Sequence, residues 1–283
     1  MTRPPALDSR TAVPFVEIIP RTGWVAVDLR EIWSYRELLY FLAWRDLKVR
    51  YKQTAFGLAW AVLQPLLLMA IFSVSIGRIP GIATNGVPYP LFVLAGLVPW
   101  TFFSQGVSGA SNSLVGGESI ITKVYFPRLL VPLGVVASFV PDLVVALVLL
   151  AVILVAGGIA PSATLLGLVP AVLSLLVTTI GVGAFLAAVN VRYRDVRYAV
   201  PFLMQVWLFA SPIVYASSLL GSRLRLIFSL NPLAAPIELF RWSVAGGSVP
   251  DASVSISLLI SLALLVGSLV YFRRVERTFA DVI

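Results

Sequence analysis

The sequence predicts an all-α polytopic membrane protein with six transmembrane helices. Two observations lead to this prediction. Of the 283 residues, 59% are hydrophobic and only 12% are charged, which is about half the charged fraction of an ordinary soluble domain. Long charge-free segments also recur along the chain, and a spanning helix needs about 20 predominantly apolar residues. A water-soluble globular domain is therefore excluded.

The predicted spans are the apolar segments between charged or helix-breaking stretches. They are 53–77, 89–112, 129–156, 164–189, 199–217 and 256–272. Gly157 and Pro161 separate the third span from the fourth, because both residues interrupt helices. Before the last span, segment 218–255 contains the apolar stretch Leu226–Ile237, which is too short to cross and is broken at Asn231. We predict re-entrant or interfacial helices there, on the external side.

The distribution of basic residues predicts that both termini are cytoplasmic. With the amino terminus inside, the inner segments contain 17 Lys and Arg and the outer segments contain four. Such an excess of basic residues marks cytoplasmic segments. It also accounts for the net charge of +8 without a nucleic-acid partner. Residues 1–33 and 273–283 are then a cytoplasmic amino-terminal segment and a cytoplasmic tail.

Segment 34–52, directly before the first span, is predicted to be an amphipathic helix. Ser34 and Glu37 fit a capping box at its start. Apolar residues recur at helical spacing on one face, at Tyr35, Leu38, Leu39 and Leu42. The helix is expected to lie in the cytoplasmic membrane interface; a plain soluble helix is the alternative.

The residue content excludes most catalytic and metal chemistry. The chain has no histidine and no cysteine, so most zinc, haem and iron–sulfur sites and any His-centred triad are ruled out. It contains no G-x-x-x-x-G-K-[ST] motif, so it cannot bind ATP through a P-loop. We expect no catalytic residue, no metal site and no cofactor bound by this chain.

Asp142 is the only carboxylate inside a predicted span. A charged carboxylate at the centre of a bilayer costs about 2.5–3.5 kcal/mol on insertion scales, so its side chain must face protein or water. Two interpretations stay open: an aspartate that bonds one helix to another, or the proton site of a proton-coupled carrier. No cation or histidine lies in the predicted spans, so we expect the energy for transport to come from a partner.

The cytoplasmic loop 113–128 is predicted to carry a short helix at 117–126. Pro127 stops this helix, and Tyr125 and Phe126 are expected to be exposed at its end. A short helix on a tight loop suits docking of a cytosolic protein. An ordinary connector is the alternative.

Four stretches together resemble one family, the membrane (permease) subunit of type-2 ATP-binding-cassette exporters for lipid-linked polysaccharides such as O-antigen, capsule and teichoic acid. The similarity runs in order from about Leu29 to the end of the chain. The stretches are RDLKVRYKQTAFGLAWAVLQPL (45–66), GLVPWTFFSQGVSGASNSLVGGESIITKVYFPRLLVPL (96–133), NVRYRDVRYAVPFLMQVWLFASPIVY (190–215) and NPL…IELFR (231–241).

The resemblance implies a homodimer with a channel at its twofold axis, in the cytoplasmic (inner) membrane of a prokaryote. Two cytosolic P-loop ATPase subunits, which bind ATP and Mg²⁺, would dock beneath it. Helix 117–126 would be the coupling helix that enters a cleft on the ATPase, and helix 34–52 would also touch that subunit. The coupling residues, in contact or anchoring roles, would be Glu118, Lys123, Tyr125, Phe126 and Arg128.

The implied substrate, a polyprenyl-diphosphate-linked polysaccharide, suggests three more groups of residues. Cations at the inner headgroup plane would bind its diphosphate, with a purely anchoring role as the alternative; they are Arg45, Lys48, Arg50 and Lys52. Aromatic rings on the first and fifth spans would contact the glycan: Phe56, Trp60, Trp207 and Phe209. Segment 218–255 would form the external gate with Arg223, Arg225, Glu238 and Arg241, the last two spaced to pair.

Other functions are weighed against this one. A permease for a drug or another lipid is the nearest alternative. A lipid-linked membrane enzyme would need a cluster of carboxylates or metal ligands, and the acidic residues are scattered. A proton-coupled carrier would rest on Asp142 alone.

Overall fold

The computed structural model describes residues 29–52, 54, 57, 59–77, 87–118, 125–159, 163–215, 221–246, 252–276 and 279. In these ranges the secondary structure is helical. The helices are α1 (Leu29–Ser34), α2 (Arg36–Tyr51), α3 (Ala59–Ser75), α4 (Tyr89–Gly116), α5 (Leu130–Ser138), α6 (Val140–Ala156), α7 (Leu168–Arg192), α8 (Val196–Phe209), α9 (Ser222–Ser229), α10 (Ala234–Ala245) and α11 (Ala252–Glu276).

Four helical segments are long and apolar enough to cross a membrane. They are Tyr89–Gly116, Leu130–Ala156, Ala163–Arg192 and Ala252–Glu276. They correspond to the predicted second, third, fourth and sixth spans. The third is the α5–α6 pair, which is interrupted at Phe139, because Pro141 has no N–H to continue the helical hydrogen bonds. The fourth opens with a 3₁₀ turn before α7.

The predicted first and fifth spans coincide with shorter helices. The described helix α3 has 17 residues and α8 has 14, fewer than the roughly 20 that a perpendicular span needs. α8 ends at Phe209 rather than at 217, and just beyond its end the Asn231 amide donates to the Ala210 carbonyl at 3.2 Å and to the Ser211 hydroxyl at 2.9 Å. These bonds satisfy polar groups that the end of the helix leaves open.

α4 lies at the centre of the bundle. It contacts α3, α5, α6, α7, α8 and α10. Its apolar side chains are buried on all sides, including Val93, Leu94, Leu97 and Phe103, as expected for a helix surrounded by protein. α7 in turn packs between α4 and α11. The remaining helices are arranged around this three-helix centre.

Glycines allow the backbones of these three helices to approach one another. A Cβ atom at Gly181 would lie 3.0 Å from the backbone nitrogen of Leu265 in α11, and one at Gly183 would lie 3.0 Å from the Ala110 Cβ in α4. Helices in lipid associate largely through such close packing, because lipid tails are as apolar as the side chains.

α2 differs from its prediction in two respects. The capping box is wrong: Ser34 is the last residue of α1, and its hydroxyl donates to the Glu31 carbonyl at 2.7 Å, as helical serines commonly do. The apolar face is placed correctly, but it packs on protein. Leu42 is buried and meets α5 at Gly134. α2 is therefore held by the bundle as well as by its own amphipathic pattern.

Replacing Gly181 with Val is expected to lower the melting temperature of the detergent-purified protein, because the added carbons collide with the α11 backbone. Overpacking of this kind costs about 1–3 kcal/mol. Gly267→Val is the matched control, since no atom lies near a Cβ at that α11 position. Equal melting temperatures for the two variants would contradict the packing described here.

Candidate functional site

The end of the molecule that the sequence predicts to be cytoplasmic has an apolar core of its own, here called the cytoplasmic cluster. It joins α2, α4, the segment before α5, α7 and the chain around the end of α11. Its buried members are Leu42, Leu114, Phe126, Leu129, Leu130, Val131, Ala184, Ala187, Ala188, Val191, Phe272 and Phe279. The chain that leaves the predicted coupling helix is thereby held against the last span.

Segment 125–128, here called the loop exit, exposes one aromatic ring and buries the next. Tyr125 is 68% exposed and Phe126 is 5% exposed. The expectation that both rings are exposed is therefore wrong for Phe126, which belongs to the cytoplasmic cluster. Neither residue is helical, and Glu118 is exposed after the end of α4. Lys123 and the rest of 119–124 lie outside the described residues.

Arg128 connects the loop exit to the end of α11. Its backbone N–H donates to Glu276 Oε1 at 2.9 Å, and its Nη1 donates to the Glu276 carbonyl at 2.6 Å. Arg273 joins the same carboxylate at 2.9 Å and also pairs with Glu31 of α1 at 3.1 Å. The Arg128 guanidinium therefore bonds to a residue of its own chain.

Asp142 has a partner that the sequence does not indicate, because this partner comes from α2 and not from a span. Arg50 Nη1 lies 2.8 Å from Asp142 Oδ2, and the Tyr51 hydroxyl donates to the other carboxylate oxygen. Arg50 Nη2 also donates to Ser138 Oγ at 2.7 Å. The guanidinium lies 3.5 Å from the centre of the Phe139 ring. α2 is thus fastened to the point where α5 meets α6.

This ion pair changes how both charged residues are interpreted. Asp142 is an ionic bond between two helices, in agreement with the first of its two interpretations. Arg50 already has a carboxylate, a hydroxyl and a ring face as partners, so it is not a free cation for a diphosphate. Burial, followed by the adjacent Asp142 carboxylate, raises the pKa of Tyr51 to about 12. The phenol is therefore a protonated donor at neutral pH.

The other three predicted headgroup cations differ in their surroundings. Arg45 pairs with its neighbour Asp46 at 2.7 Å. Lys48 is exposed, with its Nζ 5.2 Å from the centre of the Trp44 ring. Lys52 is exposed at the end of α2. Lys48 and Lys52 are thus the accessible cations of this group.

The aromatic residues predicted to contact the glycan also differ in their surroundings. Trp60 on α3 and Phe209 on α8 are exposed on the surface of the chain. Trp207 is instead a structural link: its indole N–H donates to Asn231 Oδ1 at 3.0 Å, and its ring meets Phe103 edge-on at 5.1 Å between centroids. Phe56 lies outside the described residues.

In the predicted gate segment, Arg241 is buried rather than poised at a surface. It lies 3.8 Å from the centre of the Phe92 ring and donates to the Ile213 carbonyl. Burial lowers the pKa of Arg241 to about 10 while Glu238 opposes that shift, so the side chain stays charged at neutral pH. The predicted pairing with Glu238 is not made by hydrogen bonds, since Glu238 Oε1 is buried without such a partner in the part of the chain described.

The remaining gate residues lie on α9, where Arg223 is exposed and Arg225 is half-buried. Two short helices, α9 and α10, thus occupy the predicted gate segment, and neither is long enough to cross a membrane. The Asn231 side chain between them accepts from the Leu233 N–H at 3.0 Å. The break that the sequence predicts at this asparagine is present.

Residues 37–245 match the family described as ABC-2 type transporter. This range runs from the start of α2 to the end of α10 and covers most of the chain. The chain belongs to the ABC-2 type transporter family. It is the membrane permease subunit of such a transporter, a multi-pass membrane protein that works with partner ATPase subunits.

Curated relatives of this ABC-2 permease align over nearly its whole length. It is 31% identical over 257 residues to the O-antigen export system permease protein RfbA of Myxococcus xanthus, covering 89% of this chain and 98% of the relative. It is 27% identical to the protein of the same name from Klebsiella pneumoniae, over 87% and 95% of the two chains. The polysialic acid transport protein KpsM of Escherichia coli is 25% identical, over 82% and 91%.

Sequence reasoning missed the charged network at the predicted cytoplasmic end of this permease. Arg273 and Glu276 are three residues apart near the end of a helix, a spacing that favours ion pairs and that could have indicated one of its bonds. The bond from Arg128 to Glu276 joins residues 148 positions apart. No local pattern indicates such a contact.

We expect Arg50→Gln to destabilise the permease more than the double variant Arg50→Gln/Asp142→Asn. The single change leaves a shielded carboxylate without its cation, whereas the double change removes both charges. The coupling between contacting groups is about 0.5–3 kcal/mol. Thermal unfolding of all four members of the cycle measures it. The more exposed pair Arg45 and Asp46, treated identically, should give a smaller coupling, and equal coupling in both cycles would contradict the role of the Asp142 pair.

Tyr51 should ionise about two pH units above an ordinary tyrosine, near pH 12 instead of 10.0. Because the folded-state pKa is raised, its stabilising contribution is complete below pH 10 and is lost as the pH rises towards 12. The difference in tyrosinate absorbance between the wild type and Tyr51→Phe, recorded against pH, gives the midpoint. A difference curve centred near pH 10 would show that the phenol is neither shielded from water nor held by Asp142.

Proposed function

We propose that this chain is the channel-forming subunit of an ATP-driven exporter that moves a polyprenyl-diphosphate-linked polysaccharide from the cytoplasmic to the external side of the inner membrane. The observation that carries this proposal is the nearly end-to-end similarity to permeases named for O-antigen export and polysialic acid transport. Three separate features of the chain support it: its topology, its outward faces and its loop exit.

In the proposed topology the chain crosses the membrane six times and both termini are cytoplasmic. α3 and α8 are the first and fifth spans. At 1.5 Å per residue, α3 alone is about 25 Å long, and its charge-free segment continues back to residue 53. The 17 basic residues in the inner segments, against four in the outer ones, support this orientation.

We propose that two copies of the chain face each other across the channel through α3 and α8. Both helices pack on α4 with one side and expose apolar and aromatic residues on the other. These residues are Trp60, Leu63, Leu67, Ile71 and Val74 on α3, and Tyr198, Phe202, Val206 and Phe209 on α8. Aromatic faces suit contact with the C–H groups of sugar rings. Trp60 and Phe209 are the glycan-contact residues that we retain from the sequence.

Energy would come from two cytosolic ATPase subunits, which bind ATP and Mg²⁺ and dock at the cytoplasmic face. Tyr125 is the contact residue in this proposal because it is exposed while its neighbour Phe126 is fixed in the cytoplasmic cluster. Phe126 and Arg128 then act as anchors. Movement of the docked ATPase would shift the permease between two states of the channel.

The substrate headgroup would meet the cations of α2 first. Lys48 and Lys52 are accessible for its diphosphate, and charge-assisted hydrogen bonds to such a group are strong. Arg45 would bind the diphosphate only after breaking its ion pair with Asp46. On the external side, the short helices α9 and α10 would form the gate, with Arg223 at the surface and Arg241 as an internal support.

Two alternatives are compared with this proposal. A permease for a drug or another lipid would present the same apolar faces. Only a transport measurement with a defined substrate distinguishes such a permease from the proposed polysaccharide exporter. A proton-coupled carrier would use Asp142. Protonation of that carboxylate would leave Arg50 without its ionic partner, and loss of one member of a shielded pair is unfavourable.

The test uses the permease and a candidate ATPase subunit, co-purified and reconstituted in liposomes. We expect ATP hydrolysis only with both chains present, together with outward movement of a fluorescent undecaprenyl-diphosphate oligosaccharide. Tyr125→Ala should weaken ATPase binding on the order of tenfold, as removal of a central aromatic contact does. This substitution leaves the cytoplasmic cluster intact, because Tyr125 is not one of its members. A substitution of Phe126 would disrupt the cluster.

Tyr193→Ala is the matched control for Tyr125→Ala. Both tyrosines are exposed, at 54% and 68%, and both lie on the proposed cytoplasmic side, but Tyr193 is not in the loop exit. Its substitution should leave ATPase binding unchanged. The proposed function would be overturned if the ATPase hydrolysed ATP at the same rate with and without the permease. It would also be overturned if the permease bound no P-loop subunit. Asp142→Asn would then be measured for loss of proton-driven transport.

A further inference from the structure

We propose that Glu276, at the end of α11, is a positioning residue that holds the loop exit so that Tyr125 is presented outward. The consequence for transport rests on the proposed function, in which Tyr125 contacts an ATPase. The positioning itself concerns this chain alone, so it can be measured without a partner.

Glu276 binds both the backbone and the side chain of Arg128. Its carboxylate accepts from the Arg128 N–H at 2.9 Å, and its carbonyl accepts from Arg128 Nη1 at 2.6 Å. Two bonds from one residue to another fix relative orientation as well as distance. The other carboxylate oxygen accepts from Arg273 Nη1 at 2.9 Å, which holds the carboxylate in the orientation that the loop exit requires.

The surroundings favour a firm contact. The Glu276 side chain is only 14% exposed, and charge-assisted hydrogen bonds are strong when shielded from water. Phe279, which follows α11, is fully buried and packs edge-on against Phe272 at 5.5 Å. The Arg128 guanidinium lies 5.9 Å from the centre of the Phe279 ring. The residues at and just after the end of α11 therefore add contacts that hold the loop exit in place.

Tyr125 depends on these contacts because of its place in the sequence. It is followed by Phe126, held in the cytoplasmic cluster, by Pro127, whose ring restricts the backbone, and by Arg128, held by Glu276. Weakening the hold on Arg128 leaves the burial of Phe126 and Pro127 as the main remaining attachment of the loop exit among the described residues.

The same network reaches α1. Arg273 pairs with Glu31 at 3.1 Å as well as with Glu276. Glu276 binds the loop exit directly and is linked through Arg273 to α1, the helix that precedes α2. A displacement of the loop exit is passed to both helices through charged contacts, not only through apolar packing.

The first experiment places a nitroxide spin label at Tyr125→Cys. The chain contains no native cysteine, so a single label is obtained without removing other thiols. Label mobility should rise in Glu276→Gln, which keeps an acceptor oxygen but loses the charge, and rise further in Glu276→Leu, which loses both. Asp46→Asn is the matched control, a carboxylate of α2 that pairs with its neighbour Arg45, and it should leave mobility unchanged.

Arg128→Lys provides an independent variant that keeps the charge and the backbone N–H. It loses the guanidinium bond to the Glu276 carbonyl, so we expect mobility between that of the wild type and that of Glu276→Leu. If Glu276→Leu does not fold, Glu276→Gln and Arg128→Lys still decide the question. Unchanged mobility at position 125 in folded Glu276 variants would overturn the proposal.

The second experiment measures polysaccharide exported per ATP hydrolysed in the reconstituted complex. Glu276→Gln should lower this ratio roughly tenfold, because neutral hydrogen bonds replace the charge-assisted ones that hold the loop exit. Combined with Tyr125→Ala, it should add little, because both changes act through the same contact. Additive losses would argue for a merely structural role and against the proposal.

The two experiments separate the possible failures. If the label is released in the Glu276 variants but Tyr125→Ala leaves ATPase binding unchanged, the positioning is supported and the proposed ATPase contact is wrong. If Tyr125→Ala weakens binding but the label never changes its mobility, the contact is supported and the positioning role of Glu276 is overturned.

Discussion

The approach of α4, α7 and α11 at small residues is the constraint on which the rest of this permease depends. Helices in lipid gain little from burying apolar surface, so close packing and polar contacts between helices must hold them together. Gly183 meets α4 and Gly181 meets α11. The Thr178 hydroxyl of α7 donates to Ser261 of α11 at 3.0 Å, and Ser261 also donates to the Pro232 carbonyl at 2.9 Å. The same three helices therefore position the segment that leads into α10.

The half-buried Arg50 and the buried Arg241 are held in the same way at separate places in the bundle. Arg50 lies on the face of Phe139 and Arg241 on the face of Phe92, and each also has oxygen partners. An aromatic face attracts a cation more strongly when water is excluded. Both arginines therefore join helices instead of serving as surface charges, Arg50 at the break in the third span and Arg241 beside the end of α8.

The proposed cytoplasmic end is a single connected unit. The cytoplasmic cluster supplies its apolar packing, and the contacts among Glu31, Arg128, Arg273 and Glu276 supply its charged bonds. α2 enters the same unit through Leu42 and is tied to the third span through Arg50. Within the proposed function, force applied at Tyr125 would reach α1, α5 and α11 directly, because each has a physical contact with this unit.

The sequence by itself determined the helical membrane class, four spans to within a few residues, the break at Asn231 and the family, because these follow from hydropathy, helix breakers and local motifs. It predicted a helix before the first span but misplaced its start, since a capping box is also compatible with a serine inside a helix. Only the tertiary structure decided that Asp142 pairs with Arg50, that Phe126 is buried beside an exposed Tyr125, and that Arg128 binds Glu276. These contacts join residues far apart in the chain or depend on which side of a segment faces the core, and local periodicity carries neither kind of information.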